Sequence, residues 1–387
     1  KAQSALGILG QSQNINATGS FDATRQLFSE NAIYPPPIAG SVLTTSTLQA
    51  AFSWELDFFG KQKALLNAGG AQVQVAQAEL KAAQLGLSAQ VAKSYLALVK
   101  IELLQQNYLA TTELITQQEN LLSQRIKAGI DNQAELFKTQ ASKAELQYKL
   151  AVLQEQKQAL RHVLAALTAQ PESALVIQIN TNTFVEQAKK INSQASQLYL
   201  DELANRPDIQ VAKWRVEASN SDIKATKAQF YPNINLVGFL GLSSIGLSQL
   251  FDSGSSQVGV GPAVRLPLFD GGRLRAYLGG KTADFDIALE SYNSVLLEAV
   301  KEASEPISTA QAIVQQQNAQ QRLLSHLQQA YELANQRYQS GLNNRLIVLS
   351  SQGQLQEAKR AQIELQIKVL DNQIQLVKAF GGVRPSS

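Results

Sequence analysis

The feature that most constrains this chain is that it matches itself. Residues 124–140, QRIKAGIDNQAELFKTQ, recur 212 positions later as QRYQSGLNNRLIVLSSQ at 336–352. Gln124, Arg125, Gly129, Asn132 and Gln140 return as Gln336, Arg337, Gly341, Asn344 and Gln352. Upstream, WELDFFGKQKA at 54–64 matches VRLPLFDGGRLRA at 264–276, and Asn14-Ile15-Asn16 with Gly19 matches Asn233-Ile234-Asn235 with Gly238. A period near 210 is far too long for a solenoid unit, so the chain is a tandem duplication of one large unit.

Each copy runs through the same order of elements. A short strand comes first, expected at about 13–22 and again at about 233–241. A loop of Gly, Ser, Thr and Pro comes next, with Pro35-Pro36-Pro37 in one copy and Ser253-Gly254-Ser255 in the other. Then comes a second strand, expected at 47–58 and 257–268. Leu48, Ala50, Phe52, Trp54, Leu56 and Phe58 fall on one of its faces, and Gln49, Ser53, Glu55 and Asp57 on the other. This period-2 alternation holds over about 11 residues, enough for a tilted strand to cross a bilayer. In the copy, Val258, Val260, Val264, Leu266 and Leu268 alternate with Gln257, Gly259, Gly261 and Arg265. A half-buried strand of a soluble sandwich shows the same alternation.

The long segment after each hairpin separates the two readings. Helical segments are expected over about 60–128 and 271–340, each roughly 100 Å long at 1.5 Å per residue. In the first, Leu80, Leu87, Ile101, Tyr108, Ile115 and Leu122 keep a seven-residue spacing, with Val91 and Leu98 in the second seam position, a coiled-coil pattern. Gly129 and Gly341 end these helices. Asp131-Asn132 and Asn343-Asn344 open the returning ones, which run to about 168 and 380. Only 17% of residues are charged and no apolar run reaches 18 residues, so a membrane could be crossed only by a closed barrel. Four strands cannot close one, since roughly eight are needed merely to fill the interior with side chains. Two chains would give a plugged barrel of eight strands and three a wider one of twelve.

Several function classes find no support. Cys is absent, which removes disulfides and thiolate chemistry. His162 and His326 are the only histidines and lie far apart without partners at metal or catalytic spacing, and the carboxylates form no acid/base pair. No enzyme activity, metal or cofactor is expected. The net charge of +3 is spread evenly, so no nucleic-acid partner is expected either. The chain opens at Lys1 with no signal peptide, and further residues are expected ahead of it.

WELDFFG, Arg206-Pro207-Asp208-Ile209 at a helix start, KAQFYPNINLVG at 227–238, RLPLFDGGRLRA at 265–276 and RYQSG at 337–341 together resemble the signature segments of TolC-like outer-membrane efflux proteins, in their OprM-like branch. The likeness covers nearly the whole chain in order. It implies an α+β membrane protein in which the repeats at 1–168 and 203–380 supply four strands to a trimeric, twelve-stranded transmembrane barrel. A long α-helical coiled-coil tunnel would reach into the periplasm, with an equatorial region over 169–202 and the tail 381–387. The partners it implies are two further copies, outer-membrane lipid, a periplasmic adaptor and a proton-driven inner-membrane pump. The function it implies is passive export of drugs and similar amphiphiles, with a type I protein secretion channel as the alternative. Members of this branch often carry an amino-terminal lipidated cysteine, which is not in this sequence.

The resemblance also carries site residues. A pore constriction is implied at Leu346, Ser350, Gly353 and Glu357, which share a helical face by their spacing of four, three and four. Related channels have an aspartate where this chain has Ser350, so Glu357 is expected to supply the carboxylate ring instead. Adaptor contact is implied at Arg125, Lys127, Gly129 and Asp131 and at Arg337, Gly341 and Asn343. The competing readings are helix packing for the first group and helix capping for the second.

Overall fold

The computed structural model describes residues 1–11, 14–174, 184 and 203–382. The linker expected at 169–202 and the tail therefore fall largely outside the described residues. The elements are α1 (Ala2–Gln11), β1 (Asn16–Leu27), β2 (Val42–Leu56), α2 (Lys61–Lys127), α3 (Gln133–Thr168), α4 (Pro207–Ala228), β3 (Asn233–Ile245), β4 (Ser256–Arg265), α5 (Arg273–Gln339) and α6 (Arg345–Ala379), with short 3₁₀ turns besides. The duplication is visible in their bounds. α2 and α5 both hold 67 residues, and α3 and α6 hold 36 and 35. None of these helices is long and apolar enough to cross a membrane.

Contacts divide the chain into two compact units that cut across the repeats. The first comprises Lys1–Glu79 with Asp208–Val295, and the second Leu80–Pro207 with Leu296–Ser387. The first unit gathers the strands of both repeats because neither hairpin alone makes a stable sheet. They form one antiparallel meander in the order β1-β2-β3-β4. Its ends differ from the sequence expectation for local reasons. β2 stops at Leu56 because Asp57 leaves the ladder to accept a hydrogen bond from the Lys63 amide at 2.8 Å, opening α2. It starts early, at Val42, because a polar stretch without apolar alternation pairs with Ala23–Leu27 of β1. β4 stops at Arg265 rather than 268, where Pro267 has no donor for a ladder. α4 begins at Pro207, inside the Arg206-Pro207-Asp208-Ile209 segment expected at a helix start, since proline is well placed in a first turn.

The second unit is a layer of four helices in which α2 and α6 lie side by side. Ile101 and Leu104 of α2 and Leu153 of α3 form a buried cluster against which Tyr108, Leu160 and Ile363 pack. Lys157–Glu102 at 2.8 Å and Lys143–Glu119 at 2.7 Å tie α3 to α2. Asn107 and Lys100 tie α2 to α6 through Gln356 and Glu364. Gln320 and Pro306 of α5 meet Ala358 and Asn372 of α6. Of the expected heptad seam, Leu98, Ile101 and Leu122 are buried, but Leu80 and Leu87 remain exposed. Heptad spacing specifies a face, and at those two positions no described helix of the unit covers it.

Candidate functional site

Three surfaces carry what the sequence singled out. The first is the sheet. Residues directly opposite in an antiparallel register share a face. One face therefore presents Ala17, Gly19 and Phe21, then Leu48, Ala50, Phe52 and Trp54, then Leu236 and Leu240, then Val258, Val260 and Val264. The other presents Thr18, Ser20 and Asp22, then Gln49, Ala51, Ser53 and Glu55, then Asn235, Val237, Phe239 and Gly241, then Gln257, Gly259 and Gly261. The apolar face is open, with Val258 at 82% and Val260 at 79% exposure. A contiguous apolar surface of this size on a sheet is an interaction surface, not a chance scatter of residues. Asp22, Gln49, Glu55 and Asn235 make the opposite face largely polar, interrupted by Val237 and by Phe239, whose ring lies over Gly259. Glu55 accepts from Lys61 and from Asn233, both at 2.9 Å. Within the described residues β1 and β4 pair on one side only, so the sheet ends in two open edges.

The second surface comprises the two hairpin tips. In each, a glycine in the left-handed region ends the long helix, Gly129 at φ 73° and Gly341 at φ 74°. The next amide folds back, Ile130 onto the Arg125 carbonyl at 2.9 Å and Leu342 onto the Arg337 carbonyl at 2.8 Å. Asn132 and Asn344 then cap the returning helices through the amides of Ala134 and Ile347. The adaptor residues implied by resemblance thus cluster within each tip. Arg125 Nε donates to Asp131 at 2.5 Å, and this hydrogen bond raises the guanidinium's affinity for its proton. Lys127 is exposed between them.

The third surface is one face of α6. The helix buries Val348, Leu355 and Val369 with Leu349, Ala358 and Asn372. Leu346 and Gly353 each precede a seam residue by two positions, and Ser350 and Glu357 each come two positions after one. Two positions turn a helix by about 200°, so Ser350 and Glu357 lie exposed, while Leu346 and Gly353, three and four positions from the buried Leu349, are half-buried. Glu357 is 70% exposed and pairs with Arg360, whose guanidinium lies 5.2 Å over the Tyr108 ring. His162 lies 3.1 Å from Glu172 at the surface, and among the described residues no cluster of His, Cys, Asp and Glu could hold a metal.

Sequence reasoning missed two polar contacts inside the helical layer. Arg206, 7% exposed, donates to Glu302 at 2.6 Å and to the Ala379 carbonyl at 2.9 Å. Asn372 donates to the Pro306 carbonyl at 2.9 Å, where the proline interrupts the hydrogen-bond ladder of α5. The one available signal was Arg206-Pro207-Asp208-Ile209, whose motif gives no hint of the partners.

The family model described as outer membrane efflux protein matches residues 14–170 and 198–382 of this chain. The chain belongs to that family. Among curated relatives of this efflux protein, it is 31% identical to the outer membrane protein OprJ of Pseudomonas aeruginosa over 307 residues, which is 77% of this chain and 62% of OprJ. It is 29% identical to the multidrug resistance outer membrane protein MdtQ of Escherichia coli O157:H7 over 382 residues, 94% of this chain and 77% of MdtQ. Among solved structures, the outer membrane protein VceC of Vibrio cholerae superposes with a TM-score of 0.84 at 29% identity, covering 98% of this chain and 90% of that one. The protein therefore belongs in the outer membrane.

Proposed function

We propose that three copies of this chain close their sheets into a twelve-stranded barrel in the outer membrane, continued on the periplasmic side by a helical tunnel. The assembly is a passive exit duct for drugs and other small amphiphiles delivered by a tripartite pump. One observation carries the reading: a four-stranded sheet with one apolar face, one largely polar face and two open edges. In hydrocarbon every backbone donor and acceptor must be paired, so open edges have to meet other copies. Three copies bring the strand number to twelve, which leaves a lumen lined by the polar face. The names of relatives, such as the multidrug resistance protein MdtQ, support small-molecule efflux over protein secretion.

In this duct the chain performs no chemistry of its own, and partners supply energy and selection. The hairpin tips meet a periplasmic adaptor, which in turn engages a proton-driven pump in the inner membrane. Leu346, Ser350, Gly353 and Glu357 face the lumen at its periplasmic end, where three Glu357 side chains form a ring of carboxylates. The test is single-channel conductance of the detergent-purified trimer in planar bilayers. A small, cation-selective conductance that changes in Ser350→Asp and in Glu357→Gln is the expected result. A verified trimer that stays silent, both as wild type and as Asn372→Ala with α6 loosened from α5, refutes the duct.

A further inference from the structure

The largely polar face of the sheet carries a single aromatic side chain among the described strands, Phe239 at the middle of β3. Its partners across the strands are Ala51 of β2 and Gly259 of β4, and Ala51 is itself opposite Thr18 of β1. Apart from Phe239, nothing in that row is larger than threonine. The ring lies against β4: a Cβ on Gly259 would stand 2.6 Å from Phe239 Cε1 and 2.7 Å from its Cζ, so glycine is the residue that admits the ring there. Held in this way, the side chain still keeps 37% of its surface exposed. Around the row the same face offers hydroxyls and amides, from Ser20, Gln49, Ser53, Asn235 and Gln257. Phe239, bordered by Val237, is thus an aromatic spot in the middle of a surface suited to water.

We propose that Phe239 is a transit site for the planar aromatic body of an exported amphiphile, one in each copy at the same level of the barrel. The inference rests on the reading of this face as the wall of the lumen. Hydroxyl and amide side chains are well hydrated, so an apolar ring passing them gains nothing by leaving water. An exposed phenyl ring changes that locally. A planar aromatic molecule covering it removes apolar surface of both from water and can stack or meet it edge to face, and a positive charge on that molecule is drawn to the negative face of the ring. Ala51 and Gly259 leave room for a flat molecule beside the ring, whereas an aliphatic ion of the same charge has no flat surface to match. A single ring contact is weak, so it detains a solute without trapping it. Cover for Gly259 alone would need an apolar side chain of this size but not an aromatic one, which separates the two roles by experiment.

Ethidium, a planar aromatic cation, is titrated by fluorescence into the purified, full-length trimer held in phosphatidylcholine nanodiscs, with empty nanodiscs subtracted. N-methylquinolinium serves as a planar aromatic competitor and tetraethylammonium as an aliphatic one of the same charge. Each variant is first checked as a heat-resistant trimer. Phe239→Leu keeps an apolar side chain over Gly259 and is expected to weaken ethidium binding about tenfold, whereas Phe239→Tyr keeps the ring and is expected to stay within about twofold. N-methylquinolinium should displace ethidium from the wild type and tetraethylammonium should not, a comparison that decides alone should Phe239→Leu fail to assemble. Binding to Phe239→Leu within about twofold of wild type, equal displacement by the two competitors, or no saturable binding by a verified wild-type trimer overturns the aromatic site and leaves the duct to the conductance test. A chain that yields no trimer at all overturns the duct and this site together.

Discussion

Arg206 sits where a single substitution should release the far end of α6. Its guanidinium is 7% exposed and makes charge-assisted bonds to Glu302 of α5 and to the carbonyl of Ala379 in the last turn of α6. A hydrogen bond to a charged group contributes about 1.5–3 kcal/mol. The Glu302 share must be discounted, because that carboxylate is 38% exposed and rehydrates when its partner leaves. Arg206→Met keeps most of the aliphatic stem while deleting the bonds to Glu302 and Ala379, and should cost at least about 2–3 kcal/mol locally. At 1.4 kcal/mol per factor of ten, the amides of Phe380, Gly381 and Gly382 should exchange with deuterium roughly 30- to 100-fold faster. Those amides bond back to Leu376, Lys378 and Val377 at 2.9–3.0 Å, so their protection reports this turn directly. Peptides covering α3 should be unchanged. Arg206→Lys should recover less than half of the protection, since one ammonium cannot reproduce the guanidinium fork. Hydrogen-exchange mass spectrometry of the purified trimer decides the matter. Protection at 380–382 within about threefold of wild type, or an equal loss in α3, refutes a local clamp.

Three further outcomes rest on single contacts. A Cβ at Gly241 would stand 2.3 Å from the Leu48 carbonyl oxygen and 2.8 Å from the Gln49 Cα, so Gly241→Ala should sharply reduce recovery of folded trimer from outer membranes. Gly261→Ala, with nothing within 4 Å, should be recovered like wild type, and equal yields of the two would contradict the register. Asn107 is buried, with Nδ2 bonded to Gln356 and Oδ1 without a partner. Asn107→Leu should therefore change the denaturation midpoint by less than about 1 kcal/mol equivalent or raise it, and a loss above about 3 kcal/mol would mean the amide is essential to the seam. The hydrogen bond from Lys143, then that from Gln140, lowers the pKa of Glu119. A carboxylate depressed in the folded state stabilises above its unfolded pKa, about 4.3, and that contribution fades as pH falls through the folded value. The thermal midpoints of wild type and Glu119→Gln should differ at pH 7 and converge as the pH falls below the depressed folded-state pKa.

The duplication, the strands and the tips were legible because each rests on local chemistry repeated twice: alternation at period two, a glycine past the last helical turn, an Asp or Asn before the next. Element ends were less legible. Asp57 reads as one more polar residue of the alternating strand, and only its bond to the Lys63 amide shows it to be the cap of α2. The heptads predicted a seam but not its partner, which is why Leu80 and Leu87 are exposed while Leu98 and Ile101 are buried. Arg206 marked a motif without revealing a role, since its partners lie 96 and 173 positions away in sequence.

Where the repeats have diverged, their two hairpins are held in different ways. In the first repeat, α3 lies on α2 through Leu153 and Leu160 against the Ile101 cluster, with Lys157 and Lys143 closing the flanks. At positions equivalent by the 212-residue offset, Leu160 is replaced by Asn372 and Ser94 by Pro306. The second hairpin is thus fastened to itself by a directional bond from Asn372 to the interrupted ladder at Pro306, and to the chain before α4 by Arg206. Apolar packing weakens gradually as surfaces slide, whereas a few buried polar bonds favour one arrangement and release it as a unit. The same hairpin carries the outward-facing Ser350 and Glu357 and the unpaired Arg337. The second hairpin is held by polar bonds to α5 and to the chain before α4 as well as by its packing on α2, where Ile363 meets the Ile101 cluster and Lys100 pairs with Glu364, whereas α3 rests on α2 mainly through Leu153 and Leu160.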